Sequence, residues 1–150
     1  MSIKERIEGD LREALLARET DRVTTLRGLK AVILNAEVAG GKREEGLSDA
    51  EIEKIFAGEM KRRREAMDMY EANGRGDLYE VEAEEAKVIE GYLPKQMSEA
   101  ELRDEVDDVI AGLPEGEPSN MGKVIGMVKM LVGNKADGAM IAKIVKEKLA

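Results

Sequence analysis

Four serines are the first candidates for covalent chemistry in this sequence, and each stands where a helix is expected to begin: Ser2, Ser48, Ser98 and Ser119. A serine nucleophile needs a base within hydrogen-bond reach, and the chain has no histidine to supply one. Thr20, Thr24 and Thr25 lack an activating imidazole for the same reason. Cysteine is also absent, which removes thiolate catalysis, disulfides and most transition-metal sites together. Carboxylates remain, for example Glu82 and Glu85. Among lysines and arginines such helical carboxylates form a solvated face laced by i,i+4 pairs, and a di-iron site would need Glu-x-x-His spacing. Only magnesium or calcium would suit the oxygen donors left. No catalytic residue, no metal site and no cofactor is expected.

Positive charge offers a second kind of site. Lys61-Arg62-Arg63-Arg64 wraps its helix, because consecutive residues point about 100° apart. Arg63 then lands near an Ile52/Phe56/Tyr70 stripe and is expected to pair with a carboxylate such as Glu59, leaving Lys61, Arg62 and Arg64 outside. Asn73-Gly74-Arg75-Gly76 reads as a helix stop, and neither a phosphate-binding P-loop nor a strand-anchored dinucleotide fingerprint occurs.

The stretch Ser119-Asn120-Met121-Gly122-Lys123-Val124-Ile125-Gly126-Met127-Val128-Lys129-Met130 is different. Met121, Val124, Ile125, Val128, Leu131 and Val132 form one helical stripe, while Gly122, Lys123, Gly126 and Met130 project to the other side. Each interior glycine costs about 0.5–1 kcal/mol relative to alanine, so two on an outer face need a cause. One reading is a tight crossing against the following helix, where Gly138 and Ala139 are also small. The other is a ligand face. The helix N-terminus offers N–H groups and partial positive charge, Lys123 adds a full charge, glycines admit a sugar-phosphate edge, and Lys129 and Lys135 extend the surface. Such contacts position a nucleic acid by shape without reading its sequence.

The elements that must carry these residues are helices. Charged residues make up 37% of the chain and aromatics 3%, the composition of long helices rather than sheets. The fold class read here is all-α. Capping boxes at Ser2/Glu5 and Ser48/Glu51, with Thr20 and Asp77/Glu80 as further caps, start four helices. The second presents Val23, Leu26, Leu29, Val32, Ile33 and Ala36 inward; the fourth presents Leu78, Val81, Val88, Ile89 and Tyr92. Pro94 closes this set. Met97, Ser98, Glu101 and Leu102 then make a new staple-plus-box start, followed by helices separated by Gly112–Pro118 and by Gly133-Asn134, with Asp137 capping the last. The expected domains are 1–93, with about four helices, a linker at 94–97, and a three-helix tail domain at 98–150. No apolar run approaches the roughly 20 residues of a membrane span, so no membrane partner and a cytoplasmic location are expected. The net charge of −8 conceals a swing: residues 97–118 carry eight acidic side chains against one basic, and residues 119–150 six lysines against two acids.

Tyr92-Leu93-Pro94-Lys95-Gln96-Met97-Ser98-Glu99-Ala100-Glu101-Leu102, Met121-Gly122-Lys123-Val124-Ile125-Gly126, Asn134-Lys135-Ala136-Asp137-Gly138 and Val145-Lys146-Glu147-Lys148-Leu149 resemble the YqeY family. The resemblance covers the whole chain, including Leu26-Arg27-Gly28-Leu29-Lys30 and Asn73-Gly74-Arg75-Gly76-Asp77-Leu78. That family shares its two-part region with the C-terminal part of GatB, the tRNA-binding subunit of the glutamine-dependent aspartyl/glutamyl-tRNA amidotransferase. The resemblance implies an N-terminal helical domain, a three-helix tail that helps dock the tRNA elbow, and Met121, Gly122, Lys123 and Gly126 as contact residues. GatB's catalytic domain and any glutaminase are absent, so a carbon-nitrogen ligase activity would require other subunits. The expected function is non-catalytic tRNA binding, or binding of a tRNA-handling enzyme, with no DNA partner. A protein–protein adaptor using the same small-residue face, and a component of an amidotransferase assembly, are the alternatives.

Overall fold

The structure, a computed structural model, describes residues 1–114 and 120–150. The expected cap Ser119 and the end of the Gly112–Pro118 break lie outside the described residues. Seven α-helices and one 3-10 turn account for the regular structure, with no strand among the described residues. The all-α reading holds. The helices are α1 (Ile3–Leu16), α2 (Thr20–Ala39), α3 (Asp49–Ala72), α4 (Gly76–Glu90), α5 (Glu99–Ala111), α6 (Met121–Val132) and α7 (Gly138–Leu149), with the 3-10 turn at Gly133–Lys135. Two compact units divide the chain, Met1–Leu93 and Pro94–Ala150.

In the first unit, α1 buries Ile3, Ile7, Leu11 and Ala14 along one line, and α2 buries Val23, Leu26, Leu29 and Ile33. Phe56 of α3 is fully enclosed and meets Tyr92 edge to face, with ring centroids 6.2 Å apart. Burying one such ring is worth about 1.5–3 kcal/mol, and α1 to α4 all contribute to this core.

Serine caps start the helices as read. Ser2 Oγ accepts the Glu5 N–H at 3.1 Å, and Ser48 Oγ accepts the Glu51 N–H at 3.2 Å while donating to Glu51 Oε1 at 3.1 Å. Thr20 and Asp77 do not cap. Arg18 takes a left-handed φ of 56° and the Glu19 N–H returns to Ala14 O at 3.0 Å, so α2 is already helical at Thr20. Likewise Gly74 at φ 67° lets Arg75 N–H reach Tyr70 O at 2.8 Å, which starts α4 at Gly76 and puts Asp77 inside the first turn, paired with Arg75. Val81 lies well off the Ala86/Ile89 line and is 55% exposed, against the inward placement read from spacing.

Two buried carboxylates carry no signal in the periodicity. Glu37, on the apolar side of α2, accepts Lys4 Nζ at 3.0 Å and the Leu47 N–H at 3.2 Å, which ties the α2–α3 connection to α1. Glu59 accepts Arg62 at 2.7 Å and Arg63 at 2.9 Å, and Arg63 also reaches Glu85 of α4 at 3.2 Å. The basic run is therefore largely a structural clasp between α3 and α4.

In the second unit, α5, α6 and α7 close a core of Leu102, Val106, Val109, Val124, Val128, Val132, Ile141, Ile144 and Val145. Ser98 and Asp137 cap α5 and α7. Its entry strap is tied to the 3-10 turn: Met97 N–H donates to Lys135 O at 2.8 Å and Gln96 Nε2 to Asn134 O at 3.0 Å.

Candidate nucleic-acid interface

The helix carrying Met121 to Lys129 starts at Asn120, whose Oδ1 accepts the Lys123 N–H at 3.2 Å. Asparagine therefore performs the capping expected of Ser119. Only Val124, Val128 and Val132 are buried along α6, with Ile125 half-buried. Met121, 47% exposed, and Leu131, 65% exposed, fall at the edges of a stripe read too broadly from the sequence, because a three-helix unit covers a narrower arc of each helix.

Gly126 faces open space: a Cβ there would meet nothing within 4 Å, and at Gly122 it would meet only Asn120 Oδ1 at 3.3 Å. Neither glycine lies in a close helix crossing within this unit. The small residue that is covered is Gly138, whose Cβ position lies 3.5 Å from Lys129 Cε. Lys129 thus leans over the N-terminus of α7, where the helix end adds partial positive charge and the capping carboxylate of Asp137 offsets it.

The packing of α7 gives this surface a direction. Glu147 binds Arg103 at 2.8 Å and Lys148 binds Asp107 at 2.9 Å, so that side of α7 faces α5. The Arg103 hydrogen bond holds the Glu147 carboxyl below its ordinary pKa, and Arg103 is raised in turn, chiefly by Glu147. The opposite flank, with Gly138 and Ala142, faces α6, and the exposed Ala139, Lys143 and Lys146 adjoin it. Gly122, Gly126 and Lys129 of α6 with Lys143 and Lys146 of α7 therefore form one surface of small residues and lysines. Lys123 is exposed on the outer side of α6 beside it. Lys135 is not part of this surface, since it lines a depression with Lys95, Glu101 and Leu131. Lys143 and Lys146 were not singled out from the sequence, although the lysine excess after residue 119 contains them.

In the first unit the most polar constellation is Tyr92 with Asp10, Arg6 and Arg22. Tyr92 OH donates to Asp10 Oδ2, Arg6 lies over the ring at 5.1 Å and donates to Gly91 O at 2.8 Å. Burial, then the Asp10 hydrogen bond, push the phenol well above its ordinary pKa, so Tyr92 stays protonated and acts as a clasp. Among the described residues no group of three or more aspartates or glutamates gathers closely enough to hold a metal ion.

Sequence comparison covers both units at once: the Yqey-like protein family matches residues 4–149. The chain belongs to the YqeY-like family. Relatives include altered inheritance of mitochondria protein 41, mitochondrial, of Kluyveromyces lactis, 32% identical over 90% of this chain and 75% of that protein. The Lachancea thermotolerans protein of the same name is 31% identical over 75% of this chain and 60% of that protein. A third, from Pyrenophora tritici-repentis, is 24% identical over 95% of this chain and 78% of its own length. The match thus spans well under the full length of some relatives. These names correct the cytoplasmic expectation for this YqeY-like chain, because its relatives are named as mitochondrial proteins. That expectation had rested on the lack of an apolar run. Among the described residues no helix is long and apolar enough to cross a membrane, a fact that does not fix a compartment.

Proposed function

We propose that this YqeY-like protein is a non-catalytic tRNA-binding accessory factor, and that the α6–α7 surface is its contact. The observation that carries the reading is the open glycine face: Gly126 is exposed, with nothing within 4 Å of its Cβ position, in a helix where alanine would be more stable. A sugar-phosphate edge approaches such a backbone more closely than it could any side chain. Lys123, Lys129, Lys143 and Lys146 border that face, and α6 contains no acidic residue to oppose a phosphate. The resemblance of this unit to the tail of GatB names tRNA among the nucleic acids. Lys135 is left out of the proposed contact on the grounds of its position.

The test is a low-salt filter assay with bulk tRNA and the 150-residue chain. Lys123→Glu is expected to abolish binding with helicity and melting nearly unchanged. Equal retention of tRNA by variant and parent would refute the site.

A further inference from the structure

The flank of α6 turned away from α7 is apolar, and the wall beside it is acidic. Leu131, 65% exposed, shares a depression of about 310 Å³ with Val132, Met97, Glu101 and Glu105. Met127, one turn earlier, is 38% exposed on the same flank, and Met130 next to it is 88% exposed. This depression joins the first turns of α5 to the last turn of α6, so the two helices run antiparallel along a groove. Moving along α5 from Glu101 through Glu105 to Asp108 moves back along α6 from Leu131 to Met127.

We propose that this groove docks a basic amphipathic helix of a protein partner. Charge decides the occupant. Glu101, Glu105 and Asp108 follow i, i+4, i+7 spacing and so share one flank of α5. The ion pairs recorded for α5 use Glu99, Arg103 and Asp107, on the side turned to α7, and none uses these three acids. An incoming helix with leucines or valines on one stripe and lysines or arginines beside it would seat the stripe on Met127, Met130 and Leu131 and set its cations against the acidic row. Methionine suits such a floor because its unbranched thioether adapts to the side chain presented. A phosphate backbone on this flank would instead meet three carboxylates. Lys95 and Lys135 close the groove at one end, where the partial negative charge at the C-terminal end of the docked helix would lie. The proposal uses the flank opposite the proposed RNA surface and does not depend on it.

The probe is a synthetic Leu/Lys peptide of about 14 residues with helical spacing, about four turns long, titrated into the 150-residue chain and followed by methionine-methyl and amide NMR shifts. Saturable binding is expected, with perturbations centred on Met127, Met130 and Leu131. Asp108→Lys should weaken it about fivefold, the scale of an exposed charge contact, and Leu131→Gln about tenfold through lost apolar burial. Both side chains are exposed, so unchanged thermal melts should accompany these losses. A peptide of identical composition scrambled to break the helical period should bind at least about tenfold more weakly. Equal binding of the scrambled peptide, shifts mapping elsewhere, or unchanged affinity in both variants overturns the proposal. Bulk tRNA shifting the same three residues overturns it in favour of RNA on this flank.

Discussion

Two glycines separate what a residue type tells from what its surroundings decide. Gly46 has a φ of 76°, and a Cβ there would lie 3.2 Å from Glu37 Oε2, the carboxylate that holds the Leu47 N–H. Gly46→Ala is therefore strained twice, and a loss of at least about 1–2 kcal/mol is expected in urea unfolding. A melt equal to that of the parent would show that the loop relaxes without cost. Gly126 predicts the opposite sign. It sits in regular helix with open space where its Cβ would be, so Gly126→Ala should stabilise the protein by about 0.5–1 kcal/mol. On the proposed reading, the same substitution weakens tRNA retention. Stability gained without any loss of retention would mean that close approach of a ligand is not why glycine stands there. Sequence spacing identified Gly126 as an anomaly, but whether it was packed or open depended on how much of α6 its two neighbours cover. Glu37 gave no such signal, since its partner Lys4 is 33 residues away.

Helix starts were legible where a serine precedes a glutamate by three, as at Ser2, Ser48 and Ser98, because that cap is local chemistry. Thr20 and Asp77 were misread because the preceding turns, at Arg18 and Gly74, deliver the chain to the next helix one residue early. The end of the first unit rests on a contact that spacing alone could not reveal. Tyr92, 82 residues from Asp10, joins the segment after α4 to α1 through its hydroxyl, with Arg6 stacked on its ring. This clasp has a pH signature. The folded phenol is raised above its unfolded value, mainly by burial, so its contribution is complete below about pH 10 and is lost as pH rises through the folded pKa. Stability should fall with a slope of at most about 1.4 kcal/mol per pH unit above pH 10 from this group. Tyr92→Phe should be less stable near neutrality, because it loses the Asp10 hydrogen bond, and its curve should be flatter above pH 10. Parallel urea-midpoint curves for variant and parent over that range would remove Tyr92 as the cause.

At the scale of the whole molecule, the sequence disclosed the fold class and two helical sets, since helical periodicity, caps and Pro94 are all local features. It also disclosed a charge asymmetry that net charge hides. Where those charges gather is a tertiary fact: Lys148 and Arg103 are consumed in ion pairs between α5 and α7, while Lys123, Lys129, Lys143 and Lys146 border the open face of α6 and α7. If those four lysines each displace a counterion from a phosphate, log K for tRNA should fall with log salt at a slope of about −3 to −4. Lys143→Glu with Lys146→Glu should reduce that slope by about half, because each lost phosphate contact removes nearly one unit. Tyr92→Phe, in the other unit, should leave it unchanged. A slope near zero for the parent would remove phosphate contact as the basis of binding. An unchanged slope in the double variant would instead move the contact off α7, leaving α6 to carry it alone.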